Sequence, residues 1–440
     1  MKRSLGALCG AIAVMSLAAG TALADVTVLG WPGGPEELAL RKVAETYNAR
    51  SDVAEKDKIK LIFFNRDNFF DKLEADMAAG STEFDVNLLA TYGIGRYAPF
   101  MDPITLPPSA KEAFSDRALS TMQFGGKQYG VPTELSLHFM YYRKDLIEQL
   151  MSNADWKKKY GEIAQQKLGK VLEPKDPDQW TWDDYAATAL FFTKSINPAS
   201  PTRYGTVLQM KNLLFNIMVW ESTARSQGGN WLDEKGNITV DSPAFRKGLE
   251  LYKTLYDAGA SPKDSLSYEF PEANAAFGSG QAATMLQWNA ALADLDNVQK
   301  NPAISGKIGT VAPPAGSEGR FTHIHGLGFG LNKASKNKDG ATKFLNWIAT
   351  PDAMVEYAEA GGAPALSDAV VQKVAAERPD LVKLGAYAGK YGFVMNGGTS
   401  AKTLQVYELQ AKEFTGYWAG TQSLDQAIAN VVKGMAGLLK

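Results

Sequence analysis

Short β-rich runs and helices alternate from Val26 to Ala90, and no other feature constrains the fold so tightly. Val26-Thr-Val-Leu-Gly30 is strand-like and leads through Trp31-Pro-Gly-Gly-Pro35 into a helix with apolar positions Leu40, Val43 and Tyr47 at helical spacing. Pro35 suits the first position of that helix, and Glu36 and Glu37 suit the positive end of its dipole. Lys58 to Phe64 reads as a second strand and Phe84 to Ala90 as a third, with a helix around Phe69 to Met77 between them. Strands separated by helices rather than by tight turns form a parallel sheet, so the chain is expected to be α/β.

Gly130 to Tyr142 breaks this rhythm as a long extended run with polar residues interleaved, suited to passing between two lobes. A Lys-rich segment, Ser152 to Asp178, follows; Trp156, Tyr160, Ile163 and Lys167 fit one helix, which Pro174 and Pro177 end. Thr181-Trp-Asp-Asp184 is a capping-box start for a helix through Phe192. Asp241-Ser-Pro-Ala opens another helix, with Phe245, Leu249, Tyr252 and Tyr256 on one face. His323 to Gly330 is a Gly-rich strand, Ala341 to Ile348 is helical, and the last helix carries an apolar stripe from Leu424 to Leu438 that docks on its own lobe.

Between these lies Phe277-Gly-Ser-Gly-Gln-Ala-Ala-Thr-Met-Leu-Gln-Trp288, followed by Asn289. A helix from Ala273 to Phe277 is expected to stop at Gly278 and Gly280, which tolerate positive φ. Gln281 to Leu286 then forms a buried strand that delivers Gln287, Trp288 and Asn289 at its C-terminal end, where ligands sit in open α/β sheets. Two amides and an indole suit an uncharged ligand with many hydroxyls. A core strand with a packed Trp is the other reading of the same residues.

The N-terminus has the form of a secretion signal, with Lys2 and Arg3, an apolar stretch from Leu5 to Ala19, and an Ala22-Leu-Ala24 cleavage site. The expected mature chain begins at Asp25 and acts in the periplasm. The one cysteine, Cys9, lies inside the signal, so disulfides, thiolate nucleophiles and Cys-based metal sites are excluded from the mature chain. A net charge of −2, more negative still without Lys2 and Arg3, argues against nucleic acid or an anionic membrane as partner.

Several motifs imitate catalytic ones. Gly93-Ile-Gly-Arg-Tyr-Ala98 mimics a dinucleotide loop, but Pro99 and Pro103 interrupt any helix after it. His323-x-His325 has too few companions for a metal site, with His138 the only other histidine and distant in sequence. Tyr141-Tyr142 is better explained by packing than by iron. No cofactor is expected.

Six segments in order carry a resemblance across residues 25–440: Tyr142-Arg-Lys-Asp-Leu146, Thr181-Trp-Asp-Asp-Tyr185, Ala276-Phe-Gly-Ser-Gly-Gln-Ala-Ala283, Gly309-Thr-Val-Ala-Pro-Pro314, Gly326-Leu-Gly-Phe-Gly330 and Phe344-Leu-Asn-Trp-Ile-Ala-Thr-Pro351. The chain resembles the sugar-type extracellular solute-binding proteins, the maltose-binding-protein-like receptors of ABC importers. It departs from them at residues 152–180, an insertion just past the crossing. The resemblance implies a two-lobed periplasmic-binding-protein fold of type II, each lobe a mainly parallel sheet flanked by helices, joined by a hinge of crossing strands. The N-terminal lobe would comprise 25–133 plus 318–370, and the C-terminal lobe 137–314 plus 371–440. A carbohydrate would be trapped by hinge closure and delivered to a membrane permease, with no catalysis, by a monomer.

The binding positions this implies begin with Gln287, Trp288 and Asn289. Trp31, Gly33 and Glu36 follow the first strand, and Thr91 and Tyr92 the third. Glu134, Ser136 and His138 alternate along the extended run and so share a face. Gln209 and Lys211 follow Tyr204-Gly-Thr-Val-Leu; His325 and Gly326 flank the returning crossing; Asn65, Arg66, Gly362 and Asn396 complete the set. Two alternatives remain at this stage. One is a receptor for a polyamine, iron or a polyol phosphate; the other is a secreted carbohydrate-active enzyme with Glu36 and Glu134 as its carboxylate pair.

Overall fold

The computed structural model describes residues 25–32, 34–64 and 69–439. A ten-stranded sheet organises them. Eight of its strands are labelled here: β1 (Val26–Gly30), β2 (Ile59–Phe63), β3 (Val86–Ala90), β4 (Gly130–Arg143), β5 (Tyr204–Val207), β6 (Ala282–Trp288), β7 (Ile308–Val311) and β8 (Thr322–Asn332). The strand order is β2-β1-β3-β8-β4-β6-β5, with β7 branching off β4. β1 pairs in parallel with both β2 and β3, as the alternation in sequence requires, and β5 pairs in parallel with β6. Every pairing that involves β4 is antiparallel, as is that of β8 with β3, so the parallel β1/β2/β3 and β5/β6 portions lie at the two ends of the strand order.

β4 joins the two ends. Its residues Gly130 to Leu137 pair with β8, and from His138 onward it pairs with β6 instead. The change of partner falls in the middle of one continuous strand, which therefore belongs to two packed bodies. β8 returns in the opposite direction, with Ile324 to Gly330 against β4 and Leu327 to Leu331 against β3. A register shift between Leu327 and Gly328 bends the crossing pair.

Helices cover both ends. Gly34–Ala49 packs on the β1/β2 end, where Tyr47 meets Phe344 and Trp347 from the helix Lys338–Ile348. At the other end Leu214–Arg225, Pro243–Asp257 and Thr403–Trp418 pack through Trp220, Phe245, Phe414 and Trp418. The segment 152–180 forms the helix Ala154–Leu168, whose Trp156 and Tyr160 rest on Phe191. Its far end is clasped by Arg320, whose guanidinium donates to the carbonyls of Pro177, Trp180, Ala312 and Pro313.

Several expectations are sharpened. The capping box at Thr181 forms with Asp184 and starts the helix Trp182–Phe191. The strand after Gly280 runs Ala282–Trp288, so Gln287 and Trp288 lie within it rather than beyond its end. Gly280 alone provides the positive φ, at +77°; Gly278 is the last helical residue, and a Cβ there would sit 2.1 Å from Asn301 Oδ1. Close approach, not a left-handed backbone, accounts for Gly278.

Candidate functional site

The strand ends converge on a cleft of about 630 Å³ between the two ends of the sheet. Trp31 follows β1, Tyr92 follows β3 and Trp288 closes β6, so each reaches the cleft from the C-terminal end of a strand. Ser136 from β4 and His325 and Leu327 from β8 form its floor. The remaining wall comes from helix starts: Phe70 and Asp71 on Phe69–Ala78, Leu214 and Phe215 on Leu214–Arg225, and Glu269, Phe270 and Pro271 at Phe270–Gly278. Lys211, Asn212, Glu408 and Lys412 border it on the C-terminal side, and Glu36 on the other.

Aromatic rings dominate the surface. Trp31 lies 5.7 Å from Phe70, Phe70 5.5 Å from Tyr92, and Tyr92 5.0 Å from His325. Trp288 meets His325 at 4.8 Å. Phe215 reaches across and lies 6.2 Å from both Trp31 and Tyr92, which links the two walls. The charges are uneven: Glu36, Asp71, Glu269 and Glu408 carry carboxylates against the ammonium groups of Lys211 and Lys412. Burial raises the Glu408 pKa, and the charge of Asp71 adds to the rise.

Of the residues predicted from sequence, the structure brings Trp31, Glu36, Tyr92, Ser136, Lys211, Trp288 and His325 to the cleft. Gly33, Asn65 and Arg66 lie outside the described residues. The others do not line this cavity. Gln287 accepts from Gln209 Nε2 at 3.2 Å and from the Trp288 backbone N–H at 2.9 Å, and donates to Asn274 at 2.8 Å; this network fixes the end of β6. Asn289 Oδ1 accepts from the Leu137 N–H at 2.9 Å. Thr91 accepts from the Gly326 N–H at 2.8 Å and tucks the turn after β3 against β8. Gly362 backs on Tyr357 and accepts from Arg378, while Asn396 is exposed and donates to the Leu232 carbonyl.

Glu134, Ser136 and His138 illustrate the difference between sharing a face and being accessible. Alternation along β4 puts them on one side, but only the middle one is uncovered. Glu134 is buried, accepting from Tyr357 OH and the Ala363 N–H, each at 2.8 Å. Burial, with the charge of Glu36 adding to it, pushes its pKa up to about 8 against the pull of those two donors and of Arg378. His138 is covered by the indole of Trp288, whose ring centre is 4.0 Å away.

Sequence reasoning missed Phe70, Phe215 and Phe270 together with Asp71, Glu269 and Glu408. A signal was present for some of them: Phe270-Pro-Glu272 has Pro at a helix start behind Glu269, and the aromatic pair Phe69-Phe70 opens a helix. Among the described residues no grouping of His, Cys, Asp or Glu is arranged to hold a metal ion, and no helix is long and apolar enough to cross a membrane.

Comparison with known proteins agrees with this geometry. The chain is 24% identical over 377 residues to a probable amino-acid ABC transporter periplasmic-binding protein of Sinorhizobium fredii, covering 82% of this chain and 78% of that one. It is 24% identical over 364 residues to the lactose-binding protein of Rhizobium radiobacter, covering 80% and 76%. Among solved structures, maltose-bound MalE3 of T. maritima superposes with a TM-score of 0.77 at 23% identity, over 94% of this chain and all of that one. The fold is accordingly the two-lobed α/β fold of these binding proteins, with β4 and β8 as the crossing strands. The family described as bacterial extracellular solute-binding proteins matches residues 33–355, most of the sequence, and the chain belongs to that family.

Proposed function

We propose that this protein captures a neutral, polyhydroxylated ligand, a carbohydrate or polyol, between its lobes and delivers it to the membrane permease of an ABC importer. The observation that carries the reading is the aromatic lining supplied from both walls: Trp31, Phe70 and Tyr92 on one, Phe215, Phe270 and Trp288 on the other. Such rings cover the C–H faces of a sugar, while Ser136, Asn212 and the flanking carboxylates suit its hydroxyls. Closure removes water, so a missing hydroxyl leaves a buried polar group unpaired at a cost of about 1–3 kcal/mol. Four carboxylates against two ammonium groups oppose an acidic ligand. The lactose-binding and maltose-bound relatives support the class.

The lobes proposed are 25–133 plus 318–370 and 137–314 plus 371–440, in an exported monomer whose signal is removed after Ala24. Catalysis is not part of the reading. The carboxylate pair considered from sequence, Glu36 and Glu134, has Glu134 buried, outside the cleft lining, with its oxygens accepting from Tyr357 and Ala363.

The relative named for amino acids, together with Glu36 and Lys211 in one cleft, supports a zwitterionic ligand as second reading. A thermal-shift panel on residues 25–440 separates the two, with mono-, di- and oligosaccharides, polyols and uronates in one arm and amino acids and polyamines in the other. A ligand at 100 times its dissociation constant adds about 2.7 kcal/mol of stability. A shift only in the second arm overturns the carbohydrate reading, and release of new reducing ends during incubation overturns the non-catalytic one.

A further inference from the structure

The chain has three histidines, and the fold gathers all of them around one side chain of the cleft. His138 on β4 lies 4.0 Å from the Trp288 ring, His325 on β8 lies 4.8 Å from it, and His323 lies 6.4 Å from it. His323 is in turn 5.9 Å from each of the other two rings. The knot therefore ties both crossing strands to the strand that presents Trp288, at the point where β4 changes partner. All three rings are buried.

The groups facing this knot are few. Glu221, on the helix Leu214–Arg225, meets His323 Nδ1 at 3.1 Å and accepts from Tyr407 OH, on the helix Thr403–Trp418, at 3.0 Å. Tyr92, from the turn after β3, covers His325, and Phe393 covers His323. Glu134 lies further along β4, held by Tyr357 and Ala363, with Glu36 and Arg378 acting on it. Among the described residues no acid is hydrogen-bonded to His138 or His325. Both nitrogens of His138 and Nδ1 of His325 lack a hydrogen-bond partner among the described residues, so no bonded acceptor stabilises a charge at these three atoms.

We propose that His138 and His325 are positioning residues that hold the Trp288 indole in place only while both rings are uncharged, so that acidification opens the cleft. This rests on Trp288 serving as a wall of the ligand cleft. Burial, and next the charge of neighbouring histidines, lowers the pKa of both groups. An open arrangement that admits water returns them toward the ordinary value near 6.5. A group with a depressed pKa in the closed form leaves that form undisturbed above the open-form value and penalises it as pH falls below. Each proton taken up only on opening shifts the closed-to-open ratio about tenfold per pH unit. Apparent ligand affinity falls with the closed fraction. Burial raises the pKa of Glu221 and Glu134, so an opening that admitted water to either would act in the opposite sense. The histidine contribution is therefore the difference between wild type and histidine variants.

The test uses the full mature chain labelled with 5-fluorotryptophan, without ligand, followed by fluorine NMR from pH 7.5 to 5. Trp288→Phe assigns the reporter, and Trp347→Phe assigns a control ring that packs on Tyr47 at the far end of the sheet. The Trp288 resonance is expected to move below about pH 6.5 while that of Trp347 stays, and the double variant H138Q/H325Q is expected to flatten the transition. A fixed Trp288 resonance overturns the proposal. So does an unchanged transition in the variant, or all the tryptophans moving together as in global unfolding. If the double variant does not fold, nitrogen-15 histidine spectra of the wild type decide: His138 and His325 must take up protons in the same transition as Trp288, and uptake at a different pH overturns it. None of these arms contains a ligand. A thermal-shift panel without any carbohydrate response would thus reject the ligand class while leaving this result intact.

Discussion

Trp288 was legible from sequence as a ring at the end of a small-residue strand; what holds it there was not. Its backbone carbonyl accepts from Tyr141 OH at 2.8 Å, its N–H donates to Gln287, and His138 backs its ring. Trp288→Ala is expected to weaken binding of whichever ligand the panel identifies by at least about tenfold, or 1.4 kcal/mol, by isothermal calorimetry. An undiminished affinity removes the residue from the site. Glu134 allows a prediction with a definite sign. Its folded pKa near 8 lies above the ordinary carboxyl value of 4.5, so its contribution to stability is full below 4.5 and is lost as pH rises through 8. Denaturation at pH 5 and pH 8.5 is expected to show wild type losing more stability on going alkaline than Glu134→Gln. The amide cannot ionise, and its carbonyl can still accept from Ala363 N–H. Equal losses in the two proteins would contradict this.

At the scale of elements, local signals were accurate wherever local chemistry decided the outcome. The Thr181 capping box formed as written because a hydroxyl and a carboxylate three residues apart satisfy each other's backbone without outside help. Gly278 was misassigned because its reason is Asn301, a residue that no local window contains. Gly205 is a similar case: a Cβ there would lie 1.6 Å from the Ala189 carbonyl oxygen, where β5 meets the helix Trp182–Phe191. Gly205→Ala is expected to cost about 3 kcal/mol or more in urea denaturation; a loss under 1 kcal/mol would show that this contact relaxes freely. Arg320 closes the base of the 152–180 insertion through four carbonyls. Arg320→Ala should lose about 2–4 kcal/mol, and Arg320→Lys should recover only part of it, since an ammonium cannot span the same fork.

For the molecule as a whole, the decisive element is a single strand with two sets of partners. β4 exchanges β8 for β6 between Leu137 and His138, which makes this the point where the proposed closure of one lobe on the other would bend the chain. Phe215, in ring contact with Trp31 and Tyr92, is the aromatic bridge across the cleft. Phe215→Ala is expected to shift the ligand-free protein toward open forms, seen as a larger radius of gyration by small-angle scattering, with saturating ligand restoring the compact value. An unchanged radius in the absence of ligand would show that the bridge does not hold the lobes together.

The sequence by itself determined the α/β alternation, the long crossing run, the helix caps and the aromatic residues at Trp31, Tyr92 and Trp288, because strand period, cap chemistry and turn residues act within a few positions. It also placed Ser136, Lys211 and His325 among the residues that line the cleft. Only the tertiary structure decided which members of an alternating set stay uncovered, leaving Ser136 open while Tyr357 covers Glu134 and Trp288 covers His138. It alone brought His138 beside His323 and His325, and Phe215 beside Trp31, since those neighbours are separated by long stretches of chain. Burial and pKa depend on what packs from elsewhere, and that information exists only once the sheet has closed around the crossing strands.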